Sequence, residues 1–506
     1  MFVRKKNNKS GVISIQVIGK PNGKYKLLKT IGSSSDPEVT KHLYHLGLEW
    51  IDDERNKNQK EFDFSDEEQL LLSALNQIDS ITESGTDALL GKIFDEIGFN
   101  VINDELFRLL VLSRLTKPGS KLNLTNYLSV YKSREYDVWE IYRYLDKFES
   151  TYKDKVQDIS YNHTVKILGG EIHILFYDVT TLYFETDQMD ELRVSGFSKE
   201  GRHQNPQILL GLLVSIGGYP LAYEIHAGNK FEGKTMLPII ESFKSKYKLE
   251  QLIIIADSGL LSKQNIKDLQ SKGYEYILGA RIKSETDLIK KQILELEIKS
   301  NQSVFINKDE YTRLLVSYSE SRAKKDKHNR ERGLKKLEKQ IVSGKLTKSN
   351  INNRGYNKFL HLEGQIQVEI DKQKIMDDIK WDGLKGFVTN TRLSNEEIIA
   401  NYAHLWNIEK AFRVVKSELE VRPIYHRLER RIQAHICIAF VSYKVYKELE
   451  RQLKLKGSKL SPTKAIEIAK SIFTIQAKTS CSKKVVKRTL LMNNDQKYLA
   501  DLFNLY

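Results

Sequence analysis

The chain has 506 residues, more than one hydrophobic core usually organises, so we expect several domains. An apolar fraction of 40% with 29% charged residues is typical of a globular protein and excludes an intrinsically disordered chain. Lys and Arg number 81 against 66 Asp and Glu, and this excess favours a polyanionic partner, most commonly nucleic acid.

The cysteine content and the apolar runs indicate the cellular compartment of the protein. Two cysteines cannot form a disulfide framework, and there is no CxxC pair for a zinc finger. The N-terminal residues turn polar at once, and the longest apolar run, 208–222, is too short to span a bilayer. We therefore expect a cytoplasmic, nucleoid-associated protein.

The N-terminal third predicts two regions. A β-hairpin that turns at Pro21-Asn22-Gly23 and a helix over 39–52 define a region of residues 1–60. Leucines at helical spacing predict a helical region over 61–165. Its position before the core is consistent with binding of DNA ends, but an accessory structural role fits equally well.

Residues 166–282 change to an α/β pattern, which we interpret as the first part of a catalytic core. The predicted order is three strands that form antiparallel pairs, then helix, strand, helix and strand. That order matches the RNase H-like fold. The predicted strands are 172–184, 207–216, 219–226, 251–256 and 274–278, and the helices are 232–246 and 262–272.

An insertion, residues 283–380, interrupts the core. Between Ser321 and Lys358 there are 13 Lys and Arg against 3 Asp and Glu. A one-sided excess of this kind favours contact with nucleic acid over an ordinary solvated surface. The second part of the core, 381–455, has a predicted strand at 385–389 and helices at 395–419 and 431–453. A basic, helical tail over 456–506 follows.

Two aspartates stand where acids are energetically costly. Asp178 interrupts an apolar strand, and Asp257 directly follows the apolar run 252–256. A single Asp at a strand end often accepts hydrogen bonds from a turn or caps the next helix. Two such residues in one α/β order favour a site at the ends of neighbouring strands, where carboxylates need a cation to coexist ionised.

Glu409 is the third candidate acid. In the predicted helix, Leu405, Ile408, Phe412, Val415 and Leu419 recur at alternating spacings of 3 and 4 and define a buried stripe. Glu409 falls one residue later, about 100° round the helix, at the rim of the buried face. It could therefore reach an active site while its helix packs on the sheet.

Three carboxylates without a Cys or His cluster suit a hard cation. In-line phosphodiester chemistry uses two Mg²⁺ ions about 3.5–4 Å apart, which activate the attacking oxygen and stabilise the leaving one. Asp178, Asp257 and Glu409 are therefore predicted to be both catalytic residues and metal ligands, with Mn²⁺ able to replace Mg²⁺.

The helix also carries a family resemblance. Tyr402, Glu409 and Lys416 are spaced by seven and seven, and with the flanking 407–416 they resemble the Y-R-E-K signature of bacterial insertion-sequence DDE transposases. The segments 177–181 and 256–259 are similar to the same family. Altogether, the resemblance covers residues from about 165 to 450. The resemblance implies an RNase H-like core with a β-rich insertion before the catalytic Glu. It also implies a protein that binds terminal inverted repeats of double-stranded DNA, cleaves and joins DNA, and forms a homodimer at synapsis.

One position departs from the signature, because its Arg falls at Leu405 on the buried stripe. Either the role is dispensable or another cation supplies it, and Arg413 is our candidate. By resemblance, Tyr402 and Lys416 contact transposon-end DNA, although Tyr402 could equally be an ordinary surface residue. Lys199 and Arg202, in a polar loop, either line a DNA channel or are simply solvated.

Two other functions fit the same residues. A metal-dependent endonuclease of the same fold would cut DNA without joining it. A DNA-binding regulator derived from a transposase would bind without cutting, although the presence of all three acids argues against it.

Overall fold

The computed structural model describes residues 1–56, 66–148, 150–198, 201–260, 262–343, 346, 352, 355–363, 367–478 and 484–506. The chain divides into two compact units. The first comprises Met1–Ser80 and Gln476–Lys487, and the second comprises Ile81–Ile475 and Arg488–Tyr506. The boundaries predicted inside the second unit stay predictions.

The first unit contains a three-stranded antiparallel sheet in the order β1-β2-β3, followed by a long helix. The predicted hairpin and helix are present, and β1 is an additional edge strand. The elements are β1 (Phe2–Asn7), β2 (Ile13–Gly19), β3 (Lys26–Ser34), α1 (Pro37–Asn56) and α2 (Asp66–Asn76).

Strand β4 (Ile78–Glu83) contains the boundary between the units, and a set of helices follows it, as predicted for this region. Several of these helices begin at an Asp or Ser whose side chain accepts a backbone N–H, which stabilises the first turn. The helices are α3 (Lys92–Ile97), α4 (Glu105–Thr116), α5 (Lys121–Lys132), α6 (Val138–Asp146) and α7 (Ser150–Leu168).

The catalytic region has the predicted mixed α/β order. Strands β5, β6 and β7 pair antiparallel, while β8 and β9 continue parallel to β5 on its other side. The elements are β5 (Ile174–Tyr183), β6 (Gln207–Val214), β7 (Pro220–Ala227), α8 (Met236–Tyr247), β8 (Ile253–Ala256), α9 (Lys263–Ser271) and β9 (Glu275–Ala280). The spatial order β7-β6-β5-β8-β9 is that of an RNase H-like sheet.

The insertion mixes helices and strands, whereas the resemblance implied a β-rich segment. Two of its strands extend the main sheet to eight strands, in the order β10-β11-β14-β9-β8-β5-β6-β7. The elements are α10 (Asp287–Glu295), β10 (Ser303–Asn307), β11 (Arg313–Tyr318), α11 (Glu320–Val342), β12 (Leu360–Glu363), β13 (Gln367–Ile370), α12 (Lys372–Ile379) and β14 (Leu384–Thr389).

The predicted helix 395–419 is in fact two helices, α13 (Asn395–Ala403) and α14 (Trp406–Ser417). The break occurs because the amide groups of His404 and Leu405 bond to carbonyls three residues back, to Asn401 and Tyr402, instead of four. The sequence pattern did not reveal this break, since the apolar spacing continues across it.

The C-terminal part contains α15 (Glu429–Leu455), close to its predicted bounds, and then the tail. The prediction of a wholly helical tail was wrong. Two strands, β15 (Phe473–Lys478) and β16 (Val485–Leu490), lie between α16 (Pro462–Lys470) and α17 (Asn494–Phe503). They form a sheet in the order β16-β15-β4, so the edge of β4 provides a pairing partner that the local sequence does not show.

The main sheet separates two hydrophobic cores. On one face, residues such as Phe176, Ile255, Ile277 and Phe387 pack with α13, α14 and α15. On the other face, alternate residues of the same strands pack with α8 and α9. We call these the α14 face and the α8 face.

No helix in the described ranges is long and apolar enough to cross a membrane.

Candidate active site on the α14 face

Asp178 and Asp257 occupy adjacent strands on the α14 face. The parallel register pairs Tyr177 with Ala256, the last residue of β8. Asp178 directly follows Tyr177, and Asp257 directly follows Ala256, so the two aspartates are neighbours. Asp178 lies within β5, opposite Leu212, at the point where its parallel neighbour ends. Both carboxylates are half-buried. From Asp178 onward, β5 has no pairing partner among the described residues on the β8 side, which leaves space there for polar groups.

The turn after β8 holds Asp257 in place. Its carboxylate accepts a hydrogen bond from the backbone N–H of Gly259, and its carbonyl accepts one from Leu260. The interpretation that this Asp simply caps a turn is thus partly correct. One carboxylate oxygen makes the turn bond, and the group still faces α14 because it continues the alternation after Ile255.

Glu409 reaches the same face from α14. The buried stripe of this helix is present as predicted: Leu405, Ile408 and Phe412 are buried, and the helix packs on β5. Glu409 is exposed at the rim of that stripe, near the start of α14. The helix therefore directs its apolar side into the core and leaves the carboxylate at the edge of the sheet.

Tyr402 is the point at which the three acids converge. Burial raises the pKa of its hydroxyl above the ordinary value, and the negative charges of Asp257, Glu409 and Asp178 raise it further. The hydroxyl lies against Gly279 of β9, where a Cβ would collide with it. Tyr402 is therefore not an ordinary surface residue, because its hydroxyl lies within the electrostatic reach of all three carboxylates.

Lys385 is a site residue that sequence reasoning missed. Its Nζ lies 4.4 Å from the centroid of the Tyr402 ring and 5.0 Å from that of Phe387. Burial and the charge of Arg322 lower the pKa of Lys385, while Glu409 opposes this shift. The available signal was its position two residues before Phe387, which places both side chains on one face of β14.

Several cations near the site could replace the signature Arg that is missing at Leu405. Leu405 is buried and cannot supply a charge. Arg413, our sequence candidate, is exposed one turn beyond Glu409, and its charge acts on the Tyr446 hydroxyl of α15. Lys385 contacts Tyr402 directly, so it is the better-placed replacement for the missing Arg.

A second basic area lies at the far end of β5. The guanidinium of Arg202 stacks 4.2 Å from the ring centroid of Tyr183 and donates a 3.2 Å hydrogen bond to Glu185. Arg422 approaches the same ring at 6.0 Å. The amide of Ile424 donates to the Tyr183 carbonyl at 2.9 Å, which ties the segment after α14 to this strand.

The other predicted contact residues are less informative. Lys416 is half-buried on α14, in the turn beyond Arg413. Lys199 lies outside the described residues. The DNA-contact roles of Tyr402, Arg413, Lys416 and Arg202 stay predictions, as do the catalytic and metal-binding roles of the three acids.

Comparison with known proteins places this arrangement in a family. A family model described as "Transposase DDE domain" matches residues 170–444, which include β5, β8, α14 and most of α15. The chain belongs to the transposase DDE domain family. This DDE domain acts on DNA as a transposase, in agreement with the predicted function.

Solved structures with some likeness are also transposases. A piggyBac transposase synaptic complex with hairpin DNA is 11% identical, with a TM-score of 0.41 over 79% of each chain. A Mos1 transposase paired-end complex with the left transposon end is 11% identical, with a TM-score of 0.16 over 33% of this chain and 56% of that one. A search of curated proteins gave no match.

A charged cleft lies within the matched region, where α11 of the insertion meets the sheet. Its volume is about 510 Å³. Part of its charge is internally neutralised, since Arg330 pairs with Asp382 and Lys358 pairs with Asp378. Its basic lining residues are Arg281, Lys283, Arg322, Arg330, Lys358 and Lys385, and its acidic ones are Asp326, Asp378 and Asp382. The net positive lining continues from the active site into the basic stretch singled out in the sequence.

The donor chemistry of the DDE domain suits a divalent cation, because all three candidate ligands are carboxylates. Among the residues that the structure describes, however, no group of three or more His, Cys, Asp or Glu side chains is close enough to hold a metal ion. The fold thus brings the acids to one face without assembling them into a ligand cluster.

Proposed function

We propose that this protein cleaves the ends of a bacterial insertion sequence and joins them to target DNA, in a reaction that depends on a divalent cation. Asp178, Asp257 and Glu409 are its catalytic residues and the ligands of the cation. The observation that carries the proposal is that three carboxylates, from β5, the turn after β8 and α14, lie on one face of the sheet. The charge of each raises the pKa of the Tyr402 hydroxyl.

Mg²⁺, with Mn²⁺ as a substitute, is the cation that we propose. When bound, it would polarise the scissile phosphate and stabilise the charge of the attacking and leaving oxygens. The carboxylates would have to draw closer together to bind it. The break between α13 and α14 lies between Tyr402 and Glu409 and gives these two residues independent backbone segments.

The remaining groups position the DNA. Lys385 places a cation beside Glu409 and Tyr402, which favours the approach of a phosphodiester to three acids that would otherwise repel it. Arg202 and Arg422, beside the Tyr183 ring at the end of β5, are further candidate contacts for the DNA backbone. Tyr402 lies within the electrostatic reach of all three carboxylates.

Strand transfer needs two transposon ends in one complex, and we propose that a homodimer holds them. The paired-end complex described above is that of the Mos1 transposase. We also propose that the protein works in the cytoplasm, associated with the nucleoid.

The experiment uses the full chain and the DNA that flanks its gene. The terminal segments are labelled and incubated with a target plasmid in Mg²⁺, in Mn²⁺ and in EDTA. We expect cleavage at the ends and covalent joining to the plasmid with either metal, and neither with EDTA. Cleavage without joining would favour an endonuclease. DNA binding without metal-dependent cleavage would favour the regulator.

A further inference from the structure

The N-terminal sheet has a one-sided charge. Residues 1–34, which contain β1, β2 and β3, carry eight Lys and Arg and no Asp or Glu. All eight cationic side chains are exposed: Arg4, Lys5, Lys6, Lys9, Lys20, Lys24, Lys26 and Lys29. Such a segment has no internal counter-charge, so its field attracts a polyanion.

The helix beside this sheet has the opposite charge. Residues 35–56, which include α1, carry six Asp and Glu against two Lys and Arg. This helix packs on one face of the sheet through a small core that contains Val3, Ile15, Val17 and Ile51. Lys5 and Lys29 lie on the α1 side of the sheet, over the rings of Tyr44 and Trp50. The outer face keeps the cations Arg4 and Lys6, with Lys9, Lys20 and Lys24 in its turns, so a polyanion would approach this face.

Polar side chains line the outer face of the sheet, opposite α1. Strand pairing places Arg4, Gln16 and Thr30 in one cross-strand row. The Arg4 guanidinium donates to the Gln16 side-chain oxygen at 2.9 Å, which fixes both groups on this face.

A second row lies next to the first and contains Lys6, Ser14 and Ser33. The hydroxyls of Ser14 and Ser33 are 2.7 Å apart and confirm the register. Ser14 and Gln16 are buried and bonded within the sheet, so the groups accessible to a ligand are their exposed neighbours Arg4, Lys6, Thr30 and Ser33. Side chains of these types hydrogen-bond to base edges and to phosphates.

The dimensions of the sheet also suit a duplex. Three strands about 4.8 Å apart form a surface roughly 10 Å across, which the major groove, about 12 Å wide, can admit. Lysines stand at both ends of the strands, with Lys9 in one turn and Lys20 and Lys24 around the other. They would reach the phosphates on the two sides of the groove.

We propose that the outer face of the β1-β2-β3 sheet binds double-stranded DNA in its major groove. Binding at the transposon ends in particular rests on the proposed function. The face would then provide DNA contacts from the first unit, separate from those of the catalytic residues on the α14 face.

The first test compares two exposed lysines of the same unit by fluorescence anisotropy. Lys6→Gln changes the outer face, and Lys41→Gln changes α1 on the acidic side. The full-length protein is titrated with a labelled 40-bp random-sequence duplex in EDTA over a range of salt concentrations. We expect Lys6→Gln to lower affinity several-fold and to reduce the salt slope by about one, as for one lost phosphate contact. Lys41→Gln should behave like the wild type.

The second test locates the duplex directly. A photocrosslinker is attached at Ser33→Cys on the outer face or at Lys41→Cys on α1, and crosslinking to the same duplex is quantified. Efficient crosslinking from position 33 alone supports the proposal. Equal crosslinking from both positions, or an unchanged salt slope for Lys6→Gln, overturns it. Because EDTA prevents metal-dependent cleavage, these results are independent of whether the proposed transposition chemistry is correct.

Discussion

The two faces of the main sheet are made from the same strands but differ in how their polar groups are used. On the α8 face, Tyr177 donates a 2.7 Å hydrogen bond to Thr235, and its hydroxyl is satisfied within the fold. On the α14 face, the Tyr402 hydroxyl is within the electrostatic reach of three carboxylates. A buried polar group with a neutral local partner stabilises a fold, whereas like charges gathered at one place cost stability and indicate a function.

The largest expected effect is on the acids of the α14 face. Asp178→Ala, Asp257→Ala or Glu409→Ala should lower the cleavage rate by about a thousandfold or more, because each removes a proposed metal ligand. DNA binding in EDTA should be unchanged. The matched control is Glu396→Ala, an exposed acid at the start of α13. A variant that cleaves at the wild-type rate would remove its residue from the site.

The next effect concerns Lys385. Lys385→Met should lower the cleavage rate by roughly ten- to a hundredfold, since it removes the cation beside Glu409 while retaining an apolar stem over Tyr402. Lys385→Arg should recover much of the rate, and Arg413→Met should have little effect. If Arg413→Met were the more damaging of the two, Arg413 would be the replacement for the missing signature Arg.

A smaller effect is expected at Tyr402. Tyr402→Phe keeps the ring against Phe387, with centroids 4.8 Å apart, and removes only the hydroxyl. We expect the cleavage rate to fall by about tenfold at saturating DNA, with DNA affinity unchanged, because the hydroxyl lies within the electrostatic reach of the three carboxylates. A change in affinity without a change in rate would instead make Tyr402 a DNA contact.

The smallest effect comes from the same substitution on the opposite face. Tyr177→Phe should lower the free energy of unfolding by about 1 kcal/mol through loss of its hydrogen bond to Thr235. The cleavage rate should stay within about twofold of the wild type. Thermal unfolding and cleavage assays on the two Tyr→Phe variants test the comparison directly. Equal losses of activity would show that the two faces do not differ in the way described.

Much of the site was predictable because it depends on local pattern. An apolar strand interrupted by Asp178, an apolar run ending at Asp257 and a helical stripe flanked by Glu409 are all visible in the sequence. Lys385 was not recognised because its role arises from β14, which returns to the sheet after the long insertion and pairs with β9. No local signal shows which strand a distant segment will join.

The sequence by itself determined the α/β order, the family resemblance, the choice of acids and the basic character of the insertion. These follow from periodicity and composition, which each segment carries independently of its neighbours. Only the tertiary structure decided which face of the sheet bears the acids, that Tyr402 lies among them and that Lys385 accompanies it. It also decided that the helix breaks between Ala403 and Trp406 and that the tail contributes strands to a sheet with β4. These features depend on pairing and packing between residues far apart in the chain, and such contacts leave no periodic trace in a single sequence.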